Sequence, residues 1–177
     1  MVILVFGVGN FCGLVLGGGL GSYLYTRDQR FPPLLAGSMA MASCFPFWTL
    51  LNGVNKNSSF LFVVVVALLS GTLSGGTGPV VKATLQNVTL PDARGQAFAL
   101  FNTFDDFGRG LGPVYIAWLI VNFGGRTRAF NFGVWGWMLC GLINVAMFTT
   151  IRSDERRVQQ ILTASISVER HRTNSFE

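Results

Sequence analysis

Five predominantly apolar blocks, joined by short polar links, constrain this chain more than any other feature. They run over residues 2–25, 33–51, 60–81, 96–122 and 129–151. A helix rises 1.5 Å per residue, so the roughly 17–20 residues needed to cross about 30 Å of hydrocarbon fit inside every block. Hydrophobic residues make up 50% of the chain and charged residues 12%, about half the charge of a soluble domain. A soluble helical protein would alternate polar and apolar faces, which these blocks mostly do not. The expectation is an all-α, multi-pass integral membrane protein: a bundle of five transmembrane helices over residues 1–151, then a polar cytoplasmic tail over 152–177.

The basic residues set the orientation. One side collects Arg27, Arg30, Lys82, Arg94, Arg152, Arg156, Arg157, Arg170 and Arg172, the other only Lys56, Arg126 and Arg128. Lys and Arg concentrate on the cytoplasmic side of short loops, so the tail is cytoplasmic and an odd number of spans leaves the N-terminus outside. Trp48, Trp118, Trp135 and Trp137 lie in the second, fourth and fifth blocks, some near the ends where an aromatic belt falls. The tail holds too few large apolar residues to form a core. Its start either continues the fifth helix or lies on the anionic inner leaflet, its end is expected to be disordered, and His171 is read as solvated.

The fourth block carries the chemistry. Asp105, Asp106 and Arg109 stand about halfway along it. On insertion scales each central Asp or Arg costs roughly 2.5–3.5 kcal/mol, while each Leu, Ile, Phe or Val returns about 0.3–0.6. Its eleven such apolar residues therefore recover about 5 of the roughly 8–10 kcal/mol lost. The helix belongs in lipid only if its charged stripe faces other helices or a watery cavity, the setting in which intramembrane charges mark solute pathways. Asn102, Asp105, Arg109 and Gly112 step by three, four and three residues onto one face. Arg109 can pair with Asp105 at i,i+4 or with Asp106 at i,i+3. It cannot neutralise both, so one carboxylate needs another partner or a proton. Asn102, Asp105, Asp106 and Arg109 are the candidate substrate or proton pathway residues.

Gly9, Gly13, Gly17 and Gly21 recur every fourth residue along the first block, with Gly71/Gly75 and Gly108/Gly112 repeating the spacing more weakly. Such stripes let two backbones approach closely, which drives helix association in lipid. They serve either a sliding surface or static packing. The segment SGTLSGGTGP, Ser70 to Pro79, puts helix breakers inside the third block. Freed backbone groups there must be satisfied by protein or cavity water, as in the interrupted helices of transporter sites or in an ordinary tight crossing.

Other classes fit poorly. A net charge of +5 spread over loops and tail does not make the basic face of a nucleic-acid binder. Cys12, Cys44 and Cys140 are scattered singly, without metal-site or redox spacing. Adjacent carboxylates on a helix point about 100° apart, so Asp105 and Asp106 make a poor enzyme dyad, and no cluster completes a metal site. No enzyme, catalytic residue, metal or cofactor is expected. The first block lacks the basic leader and cleavage site of a secretory signal. N-x-S/T matches at Asn57 and Asn87 are expected to go unused.

Two stretches carry a resemblance. GGGLGSYLYTRDQR, Gly17 to Arg30, resembles the glycine-rich helix end and basic loop that follow the second helix of each half in the major facilitator superfamily, with Ser22 where an acid is usual. GTGPVVKATLQNVTLPDARGQAFALFNTFDDFGRGLGP, Gly76 to Pro113, is similar to the tenth and eleventh helices of spinster-like members, joined by the loop PDARG, Pro91 to Gly95. The resemblance implies that the five spans correspond to helices eight to twelve of a twelve-helix secondary carrier, an incomplete C-terminal half. Arg27, Arg30, Asp92 and Arg94 would then sit in cytoplasmic loops. The partners it implies are the bilayer, a small-molecule solute, and the missing N-terminal half or another copy. A non-transporting subunit that packs against a partner half, or an inactive fragment, is the alternative.

Overall fold

The computed structural model describes residues 1–55 and 58–174, with side chains through residue 167. Lys56 and the Asn57 sequon lie outside the described residues, as does the His171 side chain. Among the described residues the chain is all helix: α1 (Val2–Tyr25), α2 (Phe31–Asn52), α3 (Phe60–Gly75), α4 (Thr77–Asn87), α5 (Arg94–Phe123), α6 (Arg126–Ala146) and α7 (Ile151–Asn174), with single 3-10 turns at Pro91–Ala93 and Met147–Thr149.

Among the described residues four helical stretches, not five, are long and apolar enough to cross a membrane: Val2–Tyr25, Phe31–Asn52, Phe60–Asn87 and Arg126–Thr149. The fourth block does form an unbroken helix, α5, but its mid-length charges and polar residues hold it below the others. The third stretch runs to Asn87 rather than ending near residue 81, because Gly76 stays in the right-handed helical region (φ −71°, ψ −19°) and lets α4 follow α3 directly. Pro79 causes the break: it has no N–H for the Gly75 carbonyl, and its ring crowds that carbonyl. Nearby hydroxyls answer carbonyls in the same segment, Ser74 donating to Gly71 O at 3.1 Å and Thr77 to Ser74 O at 2.8 Å. α5 ends where Gly124 turns left-handed, at φ 70°, a conformation that glycine adopts without a Cβ clash.

α1 lies along α3 and α4, α2 packs against α6 and α3, and α5 leans mainly on α6. Small residues make the closest crossings. Gly9, Gly13, Gly17 and Gly21 are all buried, and a Cβ on the first three would run into the backbone at Leu68, Thr72 and Gly76. Gly71 and Gly75 return the contact against Phe6 and Asn10. A second crossing joins α2 to α6, where a Cβ on Gly37 would meet Gly141 O at 2.6 Å. Gly108 and Gly112 have nothing within 4 Å of where a Cβ would be, so this pair makes no close helix contact. Much of the outer surface is apolar, with Phe11, Phe45, Trp135 and Val121 exposed. A soluble monomer rarely shows so much contiguous apolar area, and the surface is compatible with a lipid environment.

The tail departs from expectation. α6 stops at Ala146, short of the expected residue 151, and a 3-10 turn separates it from α7. α7 is helical through Asn174 rather than disordered at its end. Ile151, Glu155 and Val158 recur at i, i+4 and i+7 and are all buried. Tyr25 of α1 donates its hydroxyl hydrogen bond to the Glu155 carboxylate. This contact brings the end of α1 and the start of α7 to the same end of the bundle. Arg30, at the start of α2, sits there too, its guanidinium 5.7 Å from the centre of the Phe148 ring.

Candidate functional site

The site forms where the break between α3 and α4 meets the middle of α5. A half-open cavity of about 700 Å³ lies there, within the size range of small-molecule sites. α1 contributes Phe6 and Asn10 and α2 contributes Phe47. The interrupted segment supplies Ser74, Thr77 and Pro79, and α4 adds Lys82. From α5 come Phe101, Asp105 and Arg109, and Trp137 closes the α6 side. The wall is mostly apolar and aromatic, with Phe6 and Phe47 ring centres 5.8 Å apart. Trp137 donates its indole N–H to Ser43 Oγ at 2.8 Å.

Asp105 and Arg109 form an i,i+4 ion pair at 2.9 Å. Both line the cavity, Asp105 half-buried and Arg109 largely exposed. Pro113, one turn further on and inside α5, offers no N–H to the Arg109 carbonyl, so this turn carries an acid, a base and a freed backbone acceptor together. Asn102 and Asp106 are exposed and do not line the cavity. The wall takes Phe101, Asp105 and Arg109 at four-residue steps, and Asn102 and Asp106 each follow a wall residue by one position, about 100° round the helix. Among the described residues no ion pair joins Asp106 to Arg109.

A second crevice, of about 490 Å³, lies between α4 and α5 and is lined by Leu85, Leu100, Phe104 and again Phe101 and Asp105. Phe101 and Asp105 therefore border both hollows. A third hollow, of about 320 Å³, sits at the basic end among Gly21, Tyr25, Pro32, Val80 and Asn87.

The loop residues fall at that basic end. Arg27 donates to the Tyr23 hydroxyl at 3.1 Å. Asp28 accepts from the Arg30 backbone N–H at 3.0 Å. The Arg30 Nε is buried without a hydrogen-bond partner among the described residues. Asp92 lies in the 3-10 turn and Arg94 opens α5, its Nε reaching the Thr89 carbonyl at 3.4 Å. No group of three or more His, Cys, Asp or Glu side chains among the described residues is arranged to hold a metal ion.

Lys82 is the functional residue that linear reasoning misses. Counted among the basic residues of the cytoplasmic side, it sits inside α4, five residues before that helix ends, and reaches the cavity with its ammonium 5.9 Å from the centre of the Phe101 ring. Its signal would have been the helical run continuing past it to Asn87. Asn10, a lone amide inside an otherwise apolar block, was a visible signal of the same kind.

No family model, no curated protein and no solved structure matches the chain.

Proposed function

We propose that this chain forms part of a multi-pass secondary carrier that moves a small solute across a bilayer by alternating access, built on five spans that resemble part of the C-terminal half of a major facilitator protein. The observation that carries the reading is one cavity joining the interrupted α3/α4 segment to the Asp105–Arg109 pair at the middle of the 30-residue α5. Charges there are costly in hydrocarbon. A cavity that admits water and a solute gives them a polar neighbour, and broken helices with freed carbonyls are how carriers build midplane sites. In this reading α5 is the fifth span, tolerated in lipid because Asp105 and Arg109 turn toward the cavity.

A specific feature of α5 favours partnership. Leu119 is its only buried side chain, and Gly108, Gly110 and Gly112 face open space. Alternating access needs two bundles rocking about a central site, and this uncovered face is suited to a second bundle, whether a partner half or another copy. The same face would serve a non-transporting subunit.

The test is water access from within a membrane. In a background with Cys12, Cys44 and Cys140 replaced by Ala, Ser74→Cys should react with a membrane-impermeant maleimide, while Val121→Cys, 82% exposed on the outer surface, should not. Equal inertness of both would refute a watery pathway at this depth.

A further inference from the structure

We infer that the cavity between α3/α4 and α5 is an anion site, and that Lys82 is the residue that reads the charge of a small organic anion with an apolar or aromatic body. The inference rests on the carrier reading for its biological sense and on the lining for its chemistry. Three titratable side chains line the cavity: Lys82, Asp105 and Arg109. Asp105 is already engaged by Arg109 at 2.9 Å. Two cations against one carboxylate leave one net positive charge, and among the described residues no carboxylate lies within salt-bridge distance of Lys82. What Lys82 has instead is the face of Phe101, 5.9 Å from ammonium to ring centre. A cation over an aromatic face is held weakly, and Lys82 stands exposed at the open side of the cavity, where an unpaired positive charge raises the local concentration of anions.

The remaining wall sets the rest of the solute. Phe6, Phe47, Phe101 and Trp137 present rings, so the solute needs a flat or greasy body beside its anionic group. Trp137 has spent its N–H on Ser43 and contributes its ring face only. Asp106 does not line the cavity and supplies no compensating charge there. A carboxylate, sulfonate or phosphate meets the same requirement, and the sequence count hid it by assigning Lys82 to the basic end.

The experiment uses the full chain in lipid nanodiscs and equilibrium dialysis with three probes of one shape: naphthalene-2-sulfonate, naphthalene-2-methanol and 2-naphthylmethylammonium. The sulfonate should bind roughly tenfold or more tighter than the neutral alcohol, the scale of one charge-assisted hydrogen bond. Lys82→Gln should abolish that preference, bringing the ratio of sulfonate to alcohol affinity to about one or below, whereas Lys82→Arg should retain it. Equal sulfonate affinity in wild type and Lys82→Gln, or a preference for the ammonium probe, overturns the assignment. If Lys82→Gln is not monodisperse, the charge preference of the wild type decides, and loss of that preference at high salt supports it. The two readings separate in proteoliposomes. Flux of the ammonium or neutral probe with no anion preference sinks the anion site and leaves the carrier standing. Sulfonate binding that Lys82→Gln removes, with Ser74→Cys and Val121→Cys equally inert to the maleimide, keeps the site and sinks the carrier.

Discussion

The glycine stripe of α1 permits a graded test of how the bundle is held together. At Gly13 a Cβ would be pushed into the carbonyl oxygen of Thr72 and come within 2.8 Å of its carbon and 2.9 Å of its Cα. These are backbone atoms of a packed helix and have no rotamer through which to retreat, so α1 and α3 must separate. Opening a gap of about 0.5–1 Å forfeits a quarter to a half of each dispersion contact, and overpacking of this kind costs typically about 1–3 kcal/mol. Alanine recovers about 0.5–1 kcal/mol through helix propensity. Gly13→Ala should therefore destabilise by a net of up to about 2.5 kcal/mol. Gly19→Ala, with nothing within 4 Å, should keep the whole propensity gain of about 0.5–1 kcal/mol. Gly21→Ala should fall between them, because its Cβ would meet the Val80 side chain, Cγ2 at 3.1 Å, rather than backbone, and asks that methyl to move only a few tenths of an ångström. Thermal unfolding of the three variants in one detergent ranks them directly. Gly13→Ala unfolding at or above the temperature of Gly19→Ala would refute the close crossing.

Two further outcomes follow from the structure. Glu155→Ala removes the acceptor of the Tyr25 hydroxyl beneath the bundle and should loosen α7 by about 1–3 kcal/mol, seen as faster tryptic cleavage at Arg156 and Arg157. Tyr25→Phe in the Glu155→Ala background should add little, and fully additive effects in that double-mutant cycle would exclude the contact. Arg109→Gln strips Asp105 of its ion-pair partner and leaves two adjacent carboxylates near the middle of α5. The yield of folded chain in membranes should fall several-fold, while Asp106→Asn, which breaks no ion pair among the described residues, should stay within about twofold of wild type. Equal yields of Arg109→Gln and wild type would count against a mid-membrane role for the pair.

Local chemistry determined much of what the sequence disclosed. Apolar run length marks a helix whatever it packs against, so α1 and α2 fall close to their expected bounds, and the four-residue glycine period puts Gly9, Gly13, Gly17 and Gly21 on one face before any partner is known. The i,i+4 reach of Arg109 to Asp105 is equally local. Extents that depend on neighbours were less legible: Gly76 stays helical and carries the third stretch on to Asn87, while the tail becomes a helix whose Ile151, Glu155 and Val158 find cover at the basic end of the bundle.

Tertiary structure alone decided which surfaces meet. It set the α1 glycines against Leu68, Thr72 and Gly76, gave α2 and α6 their own crossing at Gly37 and Gly141, and left Gly108 and Gly112 without neighbours. It also divided the charged stripe, turning Asp105 and Arg109 into the cavity and leaving Asn102 and Asp106 outside. Lys82 shows the reason most plainly. Position along a chain gives a residue its end of a helix, but only the packing of separate helices determines which cavity, if any, its charge borders.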